Sequence, residues 1–136
     1  MADERTAAVE GAHGRAGLAH EARLRLAPGA DKRAPGGAVT IALCGHWEHD
    51  GPCRWPHHTS VGRPTGGDVT IRVVAVSPPS EHAEVRRLIE GALAAGALDG
   101  PTGLSHWSVL RSGPTDLTAD EQGLADRLAT TPRPAA

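Results

Sequence analysis

Both cysteines of the chain and four of its eight histidines lie in one short segment, between positions 44 and 58. Thiolate and imidazole groups together form the ligand set that suits zinc, and two cysteines this near each other can also pair as a disulfide. Either linkage would tie two points of a small chain together and so limit how it folds. The six residues are Cys44, His46, His49, Cys53, His57 and His58.

The composition indicates one domain with a small core. The 136 residues include 24 Leu, Ile or Val and no Phe, a share of about 18%, which is slightly below the ~20% at which disorder becomes a concern. The net charge is only -2, which argues against an unfolded chain. We therefore expect a small, alanine-rich core, and such cores often depend on a metal ion or an oligomeric contact.

Charge and hydropathy patterning disfavour several functional classes. The chain has no basic stripe, so nucleic-acid binding is not expected. It has no run of 18 apolar residues and no secretory leader, so we expect no membrane contact and a cytoplasmic location. In a reducing cytosol, cysteines flanked by histidines hold metal more often than they form a structural disulfide. Phosphate-loop, dinucleotide-binding and His-Glu-x-x-His motifs are absent from the sequence.

Hydrophobic periodicity predicts four strands and two helices. Strands are predicted over residues 21–26, 38–44, 69–76 and 107–111, with an irregular stretch over 59–67. One helix is predicted from a Ser80 cap to Gly96, and a second from the capping-box pattern at Thr118. The expected fold class is α+β: a single domain with a mainly antiparallel sheet of about four strands, in the order β-β-β-α-β-α, covered by two helices. Residues 1–19 are expected to form a loose segment, 20–130 the domain and 131–136 a flexible tail.

The predicted elements suggest how the metal ligands could converge. If the strand over 38–44 continues, Cys44 and His46 lie on one side of it. Asp50-Gly51 is a strong turn signal that would return Cys53 and His57 towards that pair. The first ligand set is therefore Cys44, His46, Cys53 and His57, in a metal loop after the second strand. His49 and His58 are the next choices.

Several functions remain compatible with this pattern. The leading hypothesis is a zinc-binding protein that acts as a binding or regulatory module, for which a protein partner and any oligomeric state are compatible. A second is a small hydrolytic or redox enzyme in which Glu48 transfers a proton beside a metal-bound water. A third is a metal carrier or sensor, for which iron or copper would replace zinc. A disulfide between Cys44 and Cys53 is the chemical rival of all three.

Overall fold

The computed structural model describes residues 14–45 and 53–130 and shows an α+β fold. Its elements, in chain order, are β1 (Ala16–Leu26), α1 (Ala34–Cys44), β2 (His57–Val61), β3 (Asp68–Ser77), α2 (His82–Ala94), β4 (Ala97–Gly100), β5 (Gly103–Thr115) and α3 (Ala119–Ala129). The strands form one sheet in the order β2-β3-β1-β5-β4, and all neighbouring pairs are antiparallel. The predicted class and antiparallel sheet are confirmed. Within the described ranges, however, the fold has five strands rather than four and three helices rather than two.

Strand β3 confirms the prediction for residues 69–76 and lies inside the sheet. Its apolar residues alternate between two cores because helices cover both faces of the sheet. Ile71 and Val73 pack in the larger core, with α1 and α2, whereas Val74 and Val76 pack against α3. This double cover explains why the strand is apolar at nearly every position.

The strand predicted over residues 38–44 is wrong, because these residues belong to helix α1. A short apolar run fits a buried strand and a buried helix equally well, and periodicity alone does not separate them. The helical signals flank the run. Pro35 lies in the first turn, and Gly45 ends the helix in a left-handed conformation with φ 95°, its N–H donating to the carbonyl of Ile41 at 2.7 Å.

Strands β1, β2 and β4 also differ from the predictions, and β5 extends beyond the predicted residues 107–111 at both ends. Strand β1 begins at Ala16 rather than at residue 21, so the predicted limit of the loose segment at residue 19 falls inside a strand. The early part of β1 is rich in alanine and glycine, which are weak strand formers. Strand β2 occupies part of the stretch predicted as irregular, and β4 was not predicted. Both are short strands at the two edges of the sheet, where the sequence signal is weakest.

The two predicted helices are present as α2 and α3. Ser80 lies in a 3-10 turn, Pro79–Glu81, and the residue that precedes α2 is Glu81, which makes no side-chain cap. The capping box of α3 is confirmed: the Thr118 hydroxyl accepts from the Glu121 N–H at 3.1 Å, and the Glu121 carboxylate accepts from the Thr118 N–H at 2.9 Å. Among the described residues, none of the helices combines the length and apolar character needed to cross a bilayer.

Gly17 allows α3 to pack closely on β1. A Cβ at this position would lie 2.7 Å from the Cβ of Ala125 and 3.0 Å from the Cδ1 of Leu117. We therefore expect Gly17→Ala to lower the free energy of unfolding by about 2 kcal/mol, because the added methyl overpacks the contact. Urea denaturation measures this change.

The matched control for that substitution is Gly91→Ala, in helix α2. No heavy atom lies within 4 Å of a Cβ built there. We expect this variant to be as stable as the native chain, or more stable by up to about 1 kcal/mol, because alanine favours the helix. Equal stability of Gly17→Ala and the native chain would contradict the close packing of α3 on β1.

Candidate functional site: a cysteine–histidine cluster

Helix α1 and the start of β2 bring together three of the six predicted ligand residues. Cys44 lies in the last turn of α1, Cys53 precedes β2, and His57 is the first residue of β2. One potential ligand atom from each of the three lies within 4.8 Å of the other two. We call these residues the cysteine–histidine cluster. The predicted proximity of Cys44, Cys53 and His57 is confirmed, although a helix rather than a strand carries Cys44.

The two sulfurs of the cluster are bonded to each other. Cys44 and Cys53 form a disulfide with their Cα atoms 5.6 Å apart, so the chemical rival named above is the state that the structure contains. A disulfide sulfur has no negative charge and does not serve as a thiolate ligand. In this state the sulfurs are therefore not available for the metal coordination that the sequence predicted.

The ring of His57 is held at both nitrogens. Its Nδ1 lies 3.0 Å from the carbonyl oxygen of Trp55 and 3.8 Å from the Sγ of Cys44. Its Nε2 lies 2.9 Å from the hydroxyl oxygen of Thr40. Because a carbonyl oxygen only accepts, Nδ1 carries the proton and donates to Trp55, and Nε2 accepts from the hydroxyl of Thr40. In the neutral ring, these contacts select the tautomer with its proton on Nδ1.

Trp55 and Cys53 form the buried side of the cluster, with exposed fractions of 4% and 8%. The indole N–H of Trp55 donates to the Glu81 carboxylate at 2.8 Å, and the guanidinium of Arg54 lies 4.3 Å from the centre of its ring. These contacts fix the segment that leads into β2. Trp55 therefore shields the cluster from solvent.

The other predicted site residues do not join this cluster. His58 is exposed and is not part of the three-residue group found among the described residues. His46, Glu48 and His49 lie outside the described ranges, as does the turn predicted at Asp50-Gly51. The predicted roles of these residues stay predictions.

A cleft of about 300 Å³ lies beside the cluster, between α1 and β2, and His57 and Thr40 form part of its wall. Arg33 also lines the cleft, and its guanidinium pairs with the Asp31 carboxylate at 3.0 Å. The hydrogen bonds from Arg33 lower the pKa of Asp31 to about 2. This ion pair offsets the positive charge that Arg33 brings to the cleft.

A second polar group, centred on His20, was missed by the sequence reasoning. His20 is 1% exposed, and its Nε2 lies 2.9 Å from the Glu90 carboxylate and 2.8 Å from the Ser112 hydroxyl oxygen. Burial lowers the pKa of His20 below its ordinary value of 6.5. The signal was present: His20 shares the inward parity of Leu18, Ala22 and Leu24, but the strand was predicted to begin one residue after it.

The His20 group does not have the arrangement of a nucleophilic triad. The hydroxyl of Ser112 donates to Glu90, and the same carboxylate oxygen also receives the Nε2 hydrogen bond of His20. The Nδ1 of His20 has no hydrogen-bond partner among the described residues. In a triad the carboxylate holds Nδ1 while Nε2 takes the proton of the nucleophile. Here Nε2 donates, so His20 is not placed to activate Ser112.

Comparison with protein-family models, with curated proteins and with solved structures finds no match for this chain.

Proposed function

We propose that the chain is a small zinc-binding module whose site is opened and closed by the redox state of Cys44 and Cys53. The proposal rests on the proximity of three residues: one potential ligand atom from each of Cys44, Cys53 and His57 lies within 4.8 Å of the other two. Two thiolates and one imidazole are a ligand set suited to zinc, and they lie on a short segment between a helix and a strand. The disulfide is then the metal-free, oxidised state of the same residues.

Reduction of the disulfide and binding of zinc involve the same two sulfur atoms, those of Cys44 and Cys53. A dithiol reductant gives two electrons and two protons to the disulfide and is itself oxidised to a disulfide, which leaves two thiols on Cys44 and Cys53. Zinc then displaces the two thiol protons and binds the thiolates. In the reverse direction, a disulfide oxidant would take two electrons from the two thiolates and be reduced to a dithiol, and the ion would be released because a sulfur cannot be in a disulfide and be a thiolate ligand at once. The module would thereby report the redox state of its surroundings.

The remaining parts of the hypothesis concern residues outside the described ranges. His46 and His49 are the candidates for a fourth zinc ligand, and a reducing cytoplasm is the compartment in which the thiols would persist. We favour a binding or regulatory module over an enzyme, because the cluster found among the described residues contains no carboxylate to transfer a proton. An enzymatic role for Glu48 stays a prediction, as do iron and copper as alternative ions.

Zinc affinity in the two redox states tests this proposal. Metal-free protein, reduced with a phosphine, is titrated with zinc in competition with a chromogenic chelator, and air-oxidised protein is titrated in parallel. We expect about one zinc per chain for the reduced protein, and binding at least 100-fold weaker for the oxidised protein, which lacks both thiolates.

Two neighbouring histidines supply the matched pair of variants. His57→Gln should weaken zinc binding by the reduced protein about 10-fold or more, because it removes a ligand. His58→Gln should leave zinc binding unchanged, because the proposed ligands within the described residues are Cys44, Cys53 and His57. A reduced native protein that binds no zinc would overturn the proposal.

A further inference from the structure

Helix α1 contacts the ring of His57 with two side chains, Thr40 and Cys44. The two residues are four positions apart, so they lie next to each other on one face of the helix. The hydroxyl of Thr40 lies 2.9 Å from Nε2, and the sulfur of Cys44 lies 3.8 Å from Nδ1. The helix therefore presents a hydrogen-bonding group to one ring nitrogen and a potential metal ligand beside the other.

Nδ1 is the nitrogen of His57 that is placed to bind a metal. A sulfur and a nitrogen on one tetrahedral zinc ion are about 3.5 Å apart, given bond lengths of about 2.3 Å and 2.0 Å. The observed separation of 3.8 Å between Cys44 Sγ and His57 Nδ1 is close to that value. In the disulfide state, however, Nδ1 carries a proton and donates it to the carbonyl of Trp55 at 3.0 Å. Metal binding requires that this proton leave.

The neutral ring keeps one proton, so loss of the Nδ1 proton to solvent must be matched by gain of a proton at Nε2. Nε2 then donates to the oxygen of Thr40, whereas in the disulfide state it accepts from the same hydroxyl. A threonine hydroxyl can serve in both directions because it has one hydrogen and two lone pairs. Histidines that bind metals in proteins commonly have such a partner on the second nitrogen, and its loss typically costs 10- to 100-fold in metal affinity, an order-of-magnitude range.

We infer that Thr40 is the positioning residue of the cysteine–histidine cluster, and that its hydrogen bond with His57 reverses direction between the disulfide and the metal-loaded states. The inference rests on the proposed function. The inference explains how the zinc affinity of the cluster is set. The Thr40 hydroxyl holds the His57 ring in place in both states and stabilises the tautomer that each state needs. Thr40 also forms part of the wall of the neighbouring cleft.

Zinc affinities of three threonine variants test the positioning role. In the reduced protein, Thr40→Val keeps the branched shape and removes the hydroxyl, and we expect zinc binding to weaken by about 10- to 100-fold. Thr40→Ser keeps a hydroxyl, and its zinc affinity should stay within about 3-fold of that of the native protein because the hydrogen-bonding group is retained. The control is Thr59→Val. Thr59 lines the same cleft, and its hydroxyl has no hydrogen-bond partner among the described residues. We expect its zinc affinity to be unchanged.

The two proposals fail in different ways in this experiment. If the reduced native protein binds no zinc, the proposed function fails and takes the positioning role with it. If the native protein binds zinc and Thr40→Val binds it equally well, only the role of Thr40 is overturned. Urea denaturation of each variant shows whether it folds, and a Thr40→Val chain that does not fold leaves Thr40→Ser and the spectroscopic measurement below to decide.

The tautomer of His57 provides a direct readout of the proposed reversal of its hydrogen bond with Thr40. Long-range nitrogen-proton correlation spectra of the ¹⁵N-labelled protein identify which ring nitrogen carries the proton. We expect the Nδ1–H form in the oxidised, metal-free protein and the Nε2–H form in the reduced, zinc-loaded protein. The oxidised measurement does not depend on zinc at all. The same tautomer in both states would overturn the inference.

Discussion

Replacing Cys44 and Cys53 together by serine is expected to lower the free energy of unfolding of the oxidised protein by about 3 kcal/mol. The disulfide joins residues nine positions apart, and closing a loop of that size removes about that much conformational free energy from the unfolded chain. It also ties the end of α1 to the segment that leads into β2, two elements that build the larger core. Urea denaturation of the oxidised native protein and of the double variant measures the difference.

Reduction and zinc supply the controls for this prediction. In a phosphine reductant with a chelator, the native protein and the Cys44→Ser, Cys53→Ser variant should unfold at nearly the same urea concentration, because neither has a cross-link. Adding zinc to the reduced proteins should stabilise the native chain alone, since an ion bound only by the folded state shifts the equilibrium towards it. No difference between the oxidised proteins would mean that the cross-link does not stabilise the fold.

Replacing Arg72 by methionine is expected to lower the free energy of unfolding by about 3 kcal/mol, chiefly by loosening α3. The guanidinium donates twice to the Glu121 carboxylate, at 2.7 Å each, and once to Glu21 at 2.7 Å. It also donates to the backbone carbonyl of Asp116 at 2.9 Å. The side chains of Arg72 and Glu121 are only 21% and 15% exposed, so removing one charge leaves the other poorly solvated.

The pH dependence of unfolding tests the same contact from the acidic side. The hydrogen bonds from Arg72 lower the pKa of Glu121 from 4.5 to about 2. A carboxyl group whose pKa is lowered by folding stabilises the fold above its unfolded pKa, and this contribution is lost as the pH falls from 4.5 towards 2. The Arg72→Met variant should therefore lose less stability than the native chain over that interval.

The matched control for Arg72 is Arg25→Met. Arg25 also lies on the sheet and pairs with a carboxylate, that of Asp68, at 2.8 Å, but its side chain is 61% exposed. Because Arg25 is largely in water, and the less exposed Asp68 keeps a second guanidinium partner in Arg23 at 3.5 Å, replacement of Arg25 should change the urea midpoint far less than replacement of Arg72 does. Equal effects of the two substitutions would show that the contacts of Arg72 with α3 do not stabilise the fold more than an exposed arginine does.

Elements were predicted correctly from the sequence where the local residue pattern is compatible with only one kind of secondary structure. The capping box at Thr118 is formed by neighbouring side chains alone, and it is present as predicted. The long apolar stretch of β3 also left little choice. The run over residues 38–44 was different, because its apolar residues suit either a strand or a helix, and tertiary packing decided for α1. Strands β2 and β4 each pair with the strand that follows them in the chain, and that pairing defines them more than their own short, weakly patterned sequences do.

The proximity of three of the six predicted ligand residues could be predicted from the sequence, but their chemical state could not. The nearness of Cys44, Cys53 and His57 follows from their positions along the chain, and it survived a wrong assignment of the element that carries Cys44. Whether two adjacent thiols bond to each other or to a metal depends on the redox potential and the ion supply, which no residue pattern encodes. The contact between Thr40 and His57 could not be foreseen either, because it requires that residue 40 lie on a helix.

X-ray absorption at the zinc edge is the most direct measurement of the central claim, that Cys44, Cys53 and His57 form a metal site when the disulfide is open. Reduced protein loaded with one equivalent of zinc should show two sulfur ligands at about 2.3 Å, with nitrogen ligands at about 2.0 Å. Oxidised protein treated in the same way should show no sulfur ligand. A spectrum of the reduced protein with only nitrogen and oxygen ligands would contradict the account.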